Sequence, residues 1–150
     1  MNKTLTQLGE TVTVIANLKD QEDSQLLDPI KQGKWSIREI VAHLYYWDQF
    51  NLESMVPYMN DGANLSPFPD HDSHNEEAIN DVHGQSLHAI IDQFIDTRAK
   101  LVKNLESVEE DVRFTIGEGK RKFSAESFAK IFLKHDIHHL KQIEEKLSKK

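Results

Sequence analysis

One stretch near the C-terminal end decides how the rest of the chain is interpreted: FLKHDIHHLKQ, residues 132–142. Polar and apolar side chains recur around it at steps of four, three, four and three, as Phe128, Phe132, His135, His139 and Gln142. This spacing is typical of the core-facing side of an α-helix. The stretch therefore predicts a helix whose buried side carries two imidazoles, one above the other.

Two inward-facing histidines require partners, because a buried polar group without one costs about 1–3 kcal/mol. His135 and His139 either bind a common metal ion or form hydrogen bonds within the core, and their spacing alone leaves both alternatives open. His138 is another partner for His135, at a spacing of three, but it turns towards the side of Lys134 and Glu145. The sequence therefore favours His139 as the partner of His135.

Two helices are predicted in the first third of the chain. The first carries apolar residues along one side: Leu5, Leu8, Val12, Ile15 and Leu18. Pro29 and Gly33 then interrupt the helical pattern. A capping-box sequence begins the second helix at Ser36. On this helix His43 lies four residues before Trp47, so it shares the buried side.

The second half of the chain predicts two more helices. A long loop, 60–74, ends in another capping-box sequence, Ser73–Glu76, which is predicted to start one long helix with Gly84 inside it. Alternating residues in 111–123 predict an extended segment or a small hairpin. Ser124 is the predicted N-cap of the last helix. The fold class is therefore all-α: a four-helix bundle with long connections and a small extended segment before the last helix.

Composition limits the class of protein. At 150 residues and 17.3 kDa, the chain fits a single domain spanning residues 1–150. The absence of cysteine excludes disulfides and thiolate ligands, so nitrogen and oxygen would hold any metal. No stretch resembles a signal peptide or reaches the roughly 18 apolar residues of a membrane span, and a cytoplasmic protein without a membrane partner is expected. The net charge of −7 opposes nucleic-acid binding.

The histidines on the buried sides of two helices define a candidate metal site: His43, His135 and His139. Three neutral imidazoles suit a divalent ion such as Zn, Ni, Fe or Cu. They leave an open position for water or substrate, as in catalytic rather than structural zinc sites. The sequence assigns no separate catalytic residue and no other cofactor. Asp48 and Asp136 are expected at the solvated surface rather than beside a ligand imidazole.

Other aromatic and polar residues are interpreted structurally. Trp47 is expected in the core rather than as a platform for substrate. His71 and His74 are expected to be exposed loop residues. Gln142 fits equally well as a hydrogen-bond partner of a ligand and as the polar end of the buried side. The basic run 120–122 is expected to be solvated.

Three segments carry a family resemblance: KWSIREIVAHL at 34–44, residues 86–101, and HDIHHLKQI at 135–143. The chain resembles the DinB/YfiT-like family of metal-dependent four-helix-bundle proteins over most of its length, from about residue 5 to residue 147. The resemblance implies the same three metal ligands, His43, His135 and His139. Lys141 stands where a glycine often precedes the family's glutamine.

The resemblance also implies a function. The family includes bacillithiol S-transferases and a mycothiol-dependent isomerase, so a metal-dependent thiol S-transferase is expected, joining a small-molecule thiol to an electrophile. The loop 60–74 and the segment 111–123 would then shape the substrate pocket. Two alternatives remain: a stress protein that sequesters a small toxic molecule without turnover, and a purely structural histidine cluster. The resemblance is compatible with a homodimer, although no apolar seam in the sequence establishes one.

Overall fold

A computed structural model describes residues 3–21, 23–27, 29–30 and 34–148. Within these ranges the α-helices are Lys3–Ala16 (α1), Asp23–Leu27 (α2), Ile37–Phe50 (α3), His71–Asp81 (α4), Leu87–Glu106 (α5) and Ala125–Ser148 (α6). The four longest, α1, α3, α5 and α6, form the predicted four-helix bundle, in which α5 packs against α1 and α3 while α6 packs mainly against α1. Gly33 lies outside the described residues. No helix in the described ranges is both long enough and apolar enough to cross a membrane.

The predicted capping box at the start of α3 is present. The Ser36 hydroxyl accepts a hydrogen bond from the Glu39 amide at 3.2 Å, and a Glu39 carboxylate oxygen accepts one from the Ser36 amide at 3.1 Å. These bonds fix where the helix begins and therefore which side of it faces the core. After Phe50 the helix continues as a π-helical turn, Asn51–Met55, and a 3-10 turn, Val56–Tyr58, which contains Pro57.

The prediction of one long third helix is wrong, because the structure has two helices in this region, α4 and α5. The side chain of Asp70, rather than that of Ser73, caps α4 by accepting a hydrogen bond from the Ser73 amide at 3.0 Å. Gly84 has a φ of +83°, a left-handed conformation that ends the helical path. Ser86 then caps α5 by accepting from the Ala89 amide at 3.1 Å. The predicted loop 60–74 consequently ends at Asp70.

The predicted extended segment is present and has two partners. Thr115–Ile116 (β2) pairs in parallel with Asn64–Leu65 (β1), which lies in the long loop. Phe114 and Phe123 form an antiparallel bridge, with N···O distances of 3.0 and 2.7 Å. An extended segment or a small hairpin was predicted here, whereas the parallel pairing with the long loop was not. The parallel pairing joins the long loop, which carries Phe68, to the segment that precedes α6.

A buried polar layer crosses the bundle and divides its core into two apolar clusters. One cluster includes Ile15, Leu44, Phe94 and Ile143, and the other includes Leu8, Trp47, Leu101 and Phe132. Between them each long helix contributes one polar side chain: Thr11 from α1, Asp48 from α3, Arg98 from α5 and Asp136 from α6. All four are at most 4 % exposed.

Arg98 is the centre of this layer, and each of its five N–H donors has an acceptor. Asp48 accepts from Nε and Nη2 at 2.6 and 3.0 Å. Asp136 accepts from Nη1 and Nη2 at 2.6 and 3.0 Å, and the Leu8 carbonyl accepts from Nη1 at 3.0 Å. The Thr11 hydroxyl donates to Asp136 at 3.0 Å. The expected solvated positions of Asp48 and Asp136 are therefore wrong: both carboxylates are buried as partners of Arg98.

Candidate metal centre

The structure brings the three predicted histidines together. The Nε2 atoms of His43 and His135 are 2.8 Å apart, and those of His135 and His139 are 3.2 Å apart. In the described part of the chain, these residues form the one group of three or more His, Asp or Glu side chains found close enough to share an ion, with candidate ligand atoms within 4.8 Å of one another. His43 and His139 are buried, and His135 is partly buried. We call these residues the histidine cluster.

Two amide side chains orient the histidine cluster from outside. Asn75 Oδ1 lies 2.7 Å from His43 Nδ1, and Gln142 Oε1 lies 2.8 Å from His139 Nδ1. An amide oxygen only accepts hydrogen bonds, so each Nδ1 carries the hydrogen and each Nε2 presents a lone pair to the centre. Hydrogen bonds of this kind orient metal-binding imidazoles in other proteins. Gln142 thus contacts a candidate ligand, which was one of its two predicted roles.

The electrostatic environment keeps the histidine cluster neutral. Burial, together with repulsion from His135 and His139, lowers the pKa of His43 to about 3. Burial and the nearby His139 lower the pKa of His135 to about 4. Burial also lowers the pKa of His139. At neutral pH the cluster therefore has no proton to release before it can bind a cation.

The histidine cluster fits a divalent ion better than it fits a set of hydrogen bonds. With both outer Nδ1 atoms donating to amides, a single hydrogen on His135 Nε2 can serve one neighbouring nitrogen and leaves the other lone pair unpaired. A cation satisfies all three nitrogens. Imidazole nitrogens bound to one ion at about 2.0–2.1 Å lie roughly 3.3 Å apart in tetrahedral geometry, close to the 2.8 and 3.2 Å that separate His135 Nε2 from the Nε2 atoms of His43 and His139. The donor set suits Zn, Ni or Fe without selecting among them.

A cavity of about 480 Å³ opens beside His43 and His135. Its walls come from α3, from the end of the long loop, from α4 and from α6: His43, Trp47, Phe68, His71, Asn75, Ile131, Phe132, Lys134, His135 and His138. The long loop therefore shapes the cavity, as predicted. The segment 111–123 does not contribute to these described walls, and its Arg121 lies over the ring of Phe123 at 4.5 Å. Lys134 is the one lysine or arginine among these described lining residues.

The remaining histidines differ from the predictions in part. His74 is buried rather than exposed, with its ring centroid 4.1 Å from that of Trp47. His71 is exposed and lies on the cavity wall. His138 also lines the cavity, outside the histidine cluster. Trp47 is a core residue, as expected, but one side of it also faces the cavity.

Sequence reasoning missed Asn75 and Arg98. Asn75 reaches His43 across 32 residues, and no local pattern signals such a contact. Arg98 did leave a signal, since it lies four residues after Phe94 and three before Leu101, on the apolar side of α5. A charged residue at such a position requires a buried counter-charge.

Comparisons with known proteins agree with this architecture. The family model of the DinB superfamily matches residues 7–143. A solved structure, YfiT from Bacillus subtilis, is similar with a TM-score of 0.67 and 19% sequence identity, covering 96% of this chain and 83% of that one. YfiT is described as a probable metal-dependent hydrolase with an unusual four-helix bundle topology. No curated protein matches the chain.

Proposed function

The chain belongs to the DinB superfamily, and on that premise we propose that His43, His135 and His139 bind one divalent metal ion in an enzyme acting on small molecules. The observation that carries the proposal is the convergence of three Nε2 atoms, with the rings of His43 and His139 oriented from outside by Asn75 and Gln142. The open side of the histidine cluster faces a cavity of about 480 Å³, a size suited to a small ligand.

The proposed reaction is S-transfer from a low-molecular-weight thiol to an electrophile. An ion held by His43, His135 and His139 would supply Lewis-acid chemistry that lowers the pKa of a thiol, and three neutral imidazoles would leave the charge of the ion undiminished. The thiol loses its proton to solvent, and its sulfur forms a bond to the electrophilic carbon. The leaving group departs with the electron pair of the bond that breaks.

The walls of the cavity favour a thiol over water as the nucleophile. Among its described lining residues none is Asp or Glu, so no carboxylate stands ready to accept a proton from water. A free thiol has a pKa of about 8.5, far below that of water, and needs much less activation. Metal-dependent hydrolysis, the activity suggested for YfiT, is therefore the second candidate.

The chain's own residues provide binding and shielding. Trp47, Phe68 and Phe132 present aromatic surfaces that can hold the electrophile and exclude water beside His135. The same apolar surfaces would also suit the non-catalytic alternative, in which the protein sequesters a small toxic molecule. Turnover distinguishes the two, because sequestration stops at one molecule per site.

The first test is elemental analysis of protein purified without a histidine tag. We expect about one divalent ion per chain in the wild type and loss of the ion in His135→Ala. His138→Ala is the matched control, since His138 lies on the same helix and cavity but outside the histidine cluster. Equal metal content in wild type and His135→Ala would reject the metal site.

The second test is conjugation of bacillithiol to 1-chloro-2,4-dinitrobenzene by metal-loaded protein. We expect release of chloride and formation of the thioether, both abolished by His135→Ala and kept by His88→Ala, at an exposed position of α5 outside the cavity walls. Absence of turnover across a panel of thiols, with metal bound, would reject the transferase. Stoichiometric protection of the electrophile without turnover would support sequestration instead.

A further inference from the structure

We propose that the electrophile bound in this cavity is an aromatic acid, a flat apolar molecule whose negatively charged group is bound by Lys134. The inference rests on the proposed function in one respect, because it takes the cavity beside the histidine cluster as the site of the electrophile. It goes further by assigning the chemical class of that molecule and the residue that selects it.

The aromatic part of the proposal follows from three rings. The ring centroids of Trp47 and Phe68, Trp47 and Phe132, and Phe68 and Phe132 are 6.0, 6.0 and 5.9 Å apart. These rings come from α3, the long loop and α6, and all three line the cavity, with Ile131 beside them. Offset or edge-to-face packing favours an aromatic ligand over an aliphatic one of the same size.

The acidic part follows from charge. Among the described lining residues, Lys134 is the only Lys, Arg, Asp or Glu. Its ammonium has no ion pair in the described ranges, whereas Lys130, one helical turn earlier, pairs with Glu126 at 3.7 Å. Because the whole chain carries a net charge of −7, general attraction of anions is unfavourable and recognition must be local.

The position of Lys134 on α6 joins the two parts. Three residues follow Ile131 at distances of three, four and seven positions: Lys134, His135 and His138. At these distances all four side chains lie along one side of the helix. One molecule in the cavity can therefore contact the aromatic rings, approach His135 and extend its anionic group to the flexible Lys134 side chain.

The test is a binding titration with metal-free, full-length protein at pH 8, in which isothermal titration calorimetry measures the affinity for each probe. The metal is removed so that the carboxylate of the probe cannot bind to it directly. At pH 8 histidine side chains carry little positive charge, so their contribution to anion binding is small. The probes are 2-naphthoate and its neutral analogue 2-naphthamide. We expect 2-naphthoate to bind about 1.5- to fivefold more tightly, a range set by the solvent exposure of Lys134.

Lys134→Gln should remove this preference and leave the affinity for 2-naphthamide unchanged, while Lys134→Arg should keep it. Lys130→Gln is the matched control on the same helix and should keep the preference too. The proposal is overturned if the two probes bind equally, if neither binds, or if Lys134→Gln retains the preference. It is also overturned if Lys134→Gln weakens bacillithiol binding alone, because Lys134 would then serve the thiol.

These results are independent of catalysis. Loss of thiol conjugation with an intact preference for 2-naphthoate would reject the transferase and keep the acid-binding site. Conjugation that proceeds without any such preference would support the transferase and reject the assignment of Lys134.

Discussion

The two buried polar clusters of this bundle include neighbouring residues of α6, His135 and Asp136, yet they differ in one decisive respect. In the layer around Arg98 every guanidinium N–H has an acceptor, and the positive charge of Arg98 lies beside the negative charges of Asp48 and Asp136. In the histidine cluster three like groups face a common centre, and their hydrogen bonds to Asn75 and Gln142 point away from it. A completed cluster indicates a structural role, whereas converging acceptors indicate a binding site.

The two clusters also differ in access. The Arg98 layer lies between two apolar clusters, and its three charged side chains are each about 1 % exposed. The histidine cluster adjoins a cavity that reaches His43 and His135. This difference in access predicts that substitutions in the Arg98 layer change the stability of the fold and that substitutions in the histidine cluster change metal binding.

The largest expected effect comes from breaking the Arg98 layer. Arg98→Met leaves Asp48 and Asp136 buried without their counter-charge, and should lower the free energy of unfolding by about 3–5 kcal/mol. Urea unfolding followed by tryptophan fluorescence measures this loss. Lys100→Met is the control, because Lys100 is an exposed residue on the same helix, and it should change stability by less than about 0.5 kcal/mol.

A triple variant sharpens this prediction. Replacing Arg98, Asp48 and Asp136 together by Met, Leu and Leu removes the charges as a set and should restore much of the lost stability. A triple variant less stable than Arg98→Met would contradict the view that unpaired buried charge causes the loss.

Acid should act on the two clusters in opposite directions. The histidines have folded-state pKa values of about 3 for His43 and about 4 for His135, below the ordinary 6.5, so the unfolded chain binds their protons first. Their contribution to stability is present above pH 6.5 and is lost as the pH falls. Burial raises the pKa of Asp48 to about 6 although Arg98 opposes the shift, so protonation of Asp48 offsets part of this loss.

The net effect should be metal-free protein that is about 1–3 kcal/mol less stable at pH 5 than at pH 7. Urea unfolding at the two pH values measures it. In the His43→Gln/His135→Gln double variant the difference should shrink or change sign, because Asp48 remains, whereas His88→Gln, at an exposed position of α5, should leave it unchanged. A wild type equally stable at both pH values would contradict neutral buried histidines.

The residues that orient the histidine cluster should have a smaller effect, confined to metal binding. Asn75→Ala and Gln142→Ala each remove one acceptor from an imidazole Nδ1 and should weaken metal affinity by about 10–100-fold. Competition with a chromogenic chelator measures the affinity. Asn80→Ala, at an exposed position of the same helix as Asn75, is the control. Unchanged affinity in both variants would show that their hydrogen bonds do not support the site.

The smallest expected effect concerns a buried amide that belongs to neither cluster. Asn51 is fully buried, and its side-chain nitrogen and oxygen have no hydrogen-bond partner within the described residues. Asn51→Leu removes two unpaired polar atoms at similar volume and should raise the free energy of unfolding by about 1 kcal/mol. Thermal unfolding measures the gain. A destabilised variant would instead indicate an ordered water bound to the amide.

The bundle and the meeting of three histidines were predictable because both follow from local spacing. The steps of three and four residues around His135, and the capping box that fixes the start of α3, determine which sides of two helices face the core. The division of the third predicted helix was less accessible, because the periodic apolar pattern continues across Gly84 while backbone conformation and the Ser86 cap interrupt the helix.

The Arg98 layer shows a limit of weighing residues singly. Asp48, Arg98 and Asp136 each occupy an apolar position of their helix, and each alone is more simply placed in solvent. Considered together, one arginine and two carboxylates at core positions of three helices indicate a buried ionic group. Asn75 was beyond such reasoning, because its contact with His43 depends on how α4 folds back over α3.

The adjacency of His135 and Asp136 has a consequence for protein design. Consecutive helical residues are about 100° apart around the axis, so the bonds of Arg98 to Asp136 also set the rotation at which α6 presents His135 and His139. Transplanting only the three imidazoles into another scaffold would leave that angle undefined. The smallest portable motif therefore includes Asp48, Arg98 and Asp136.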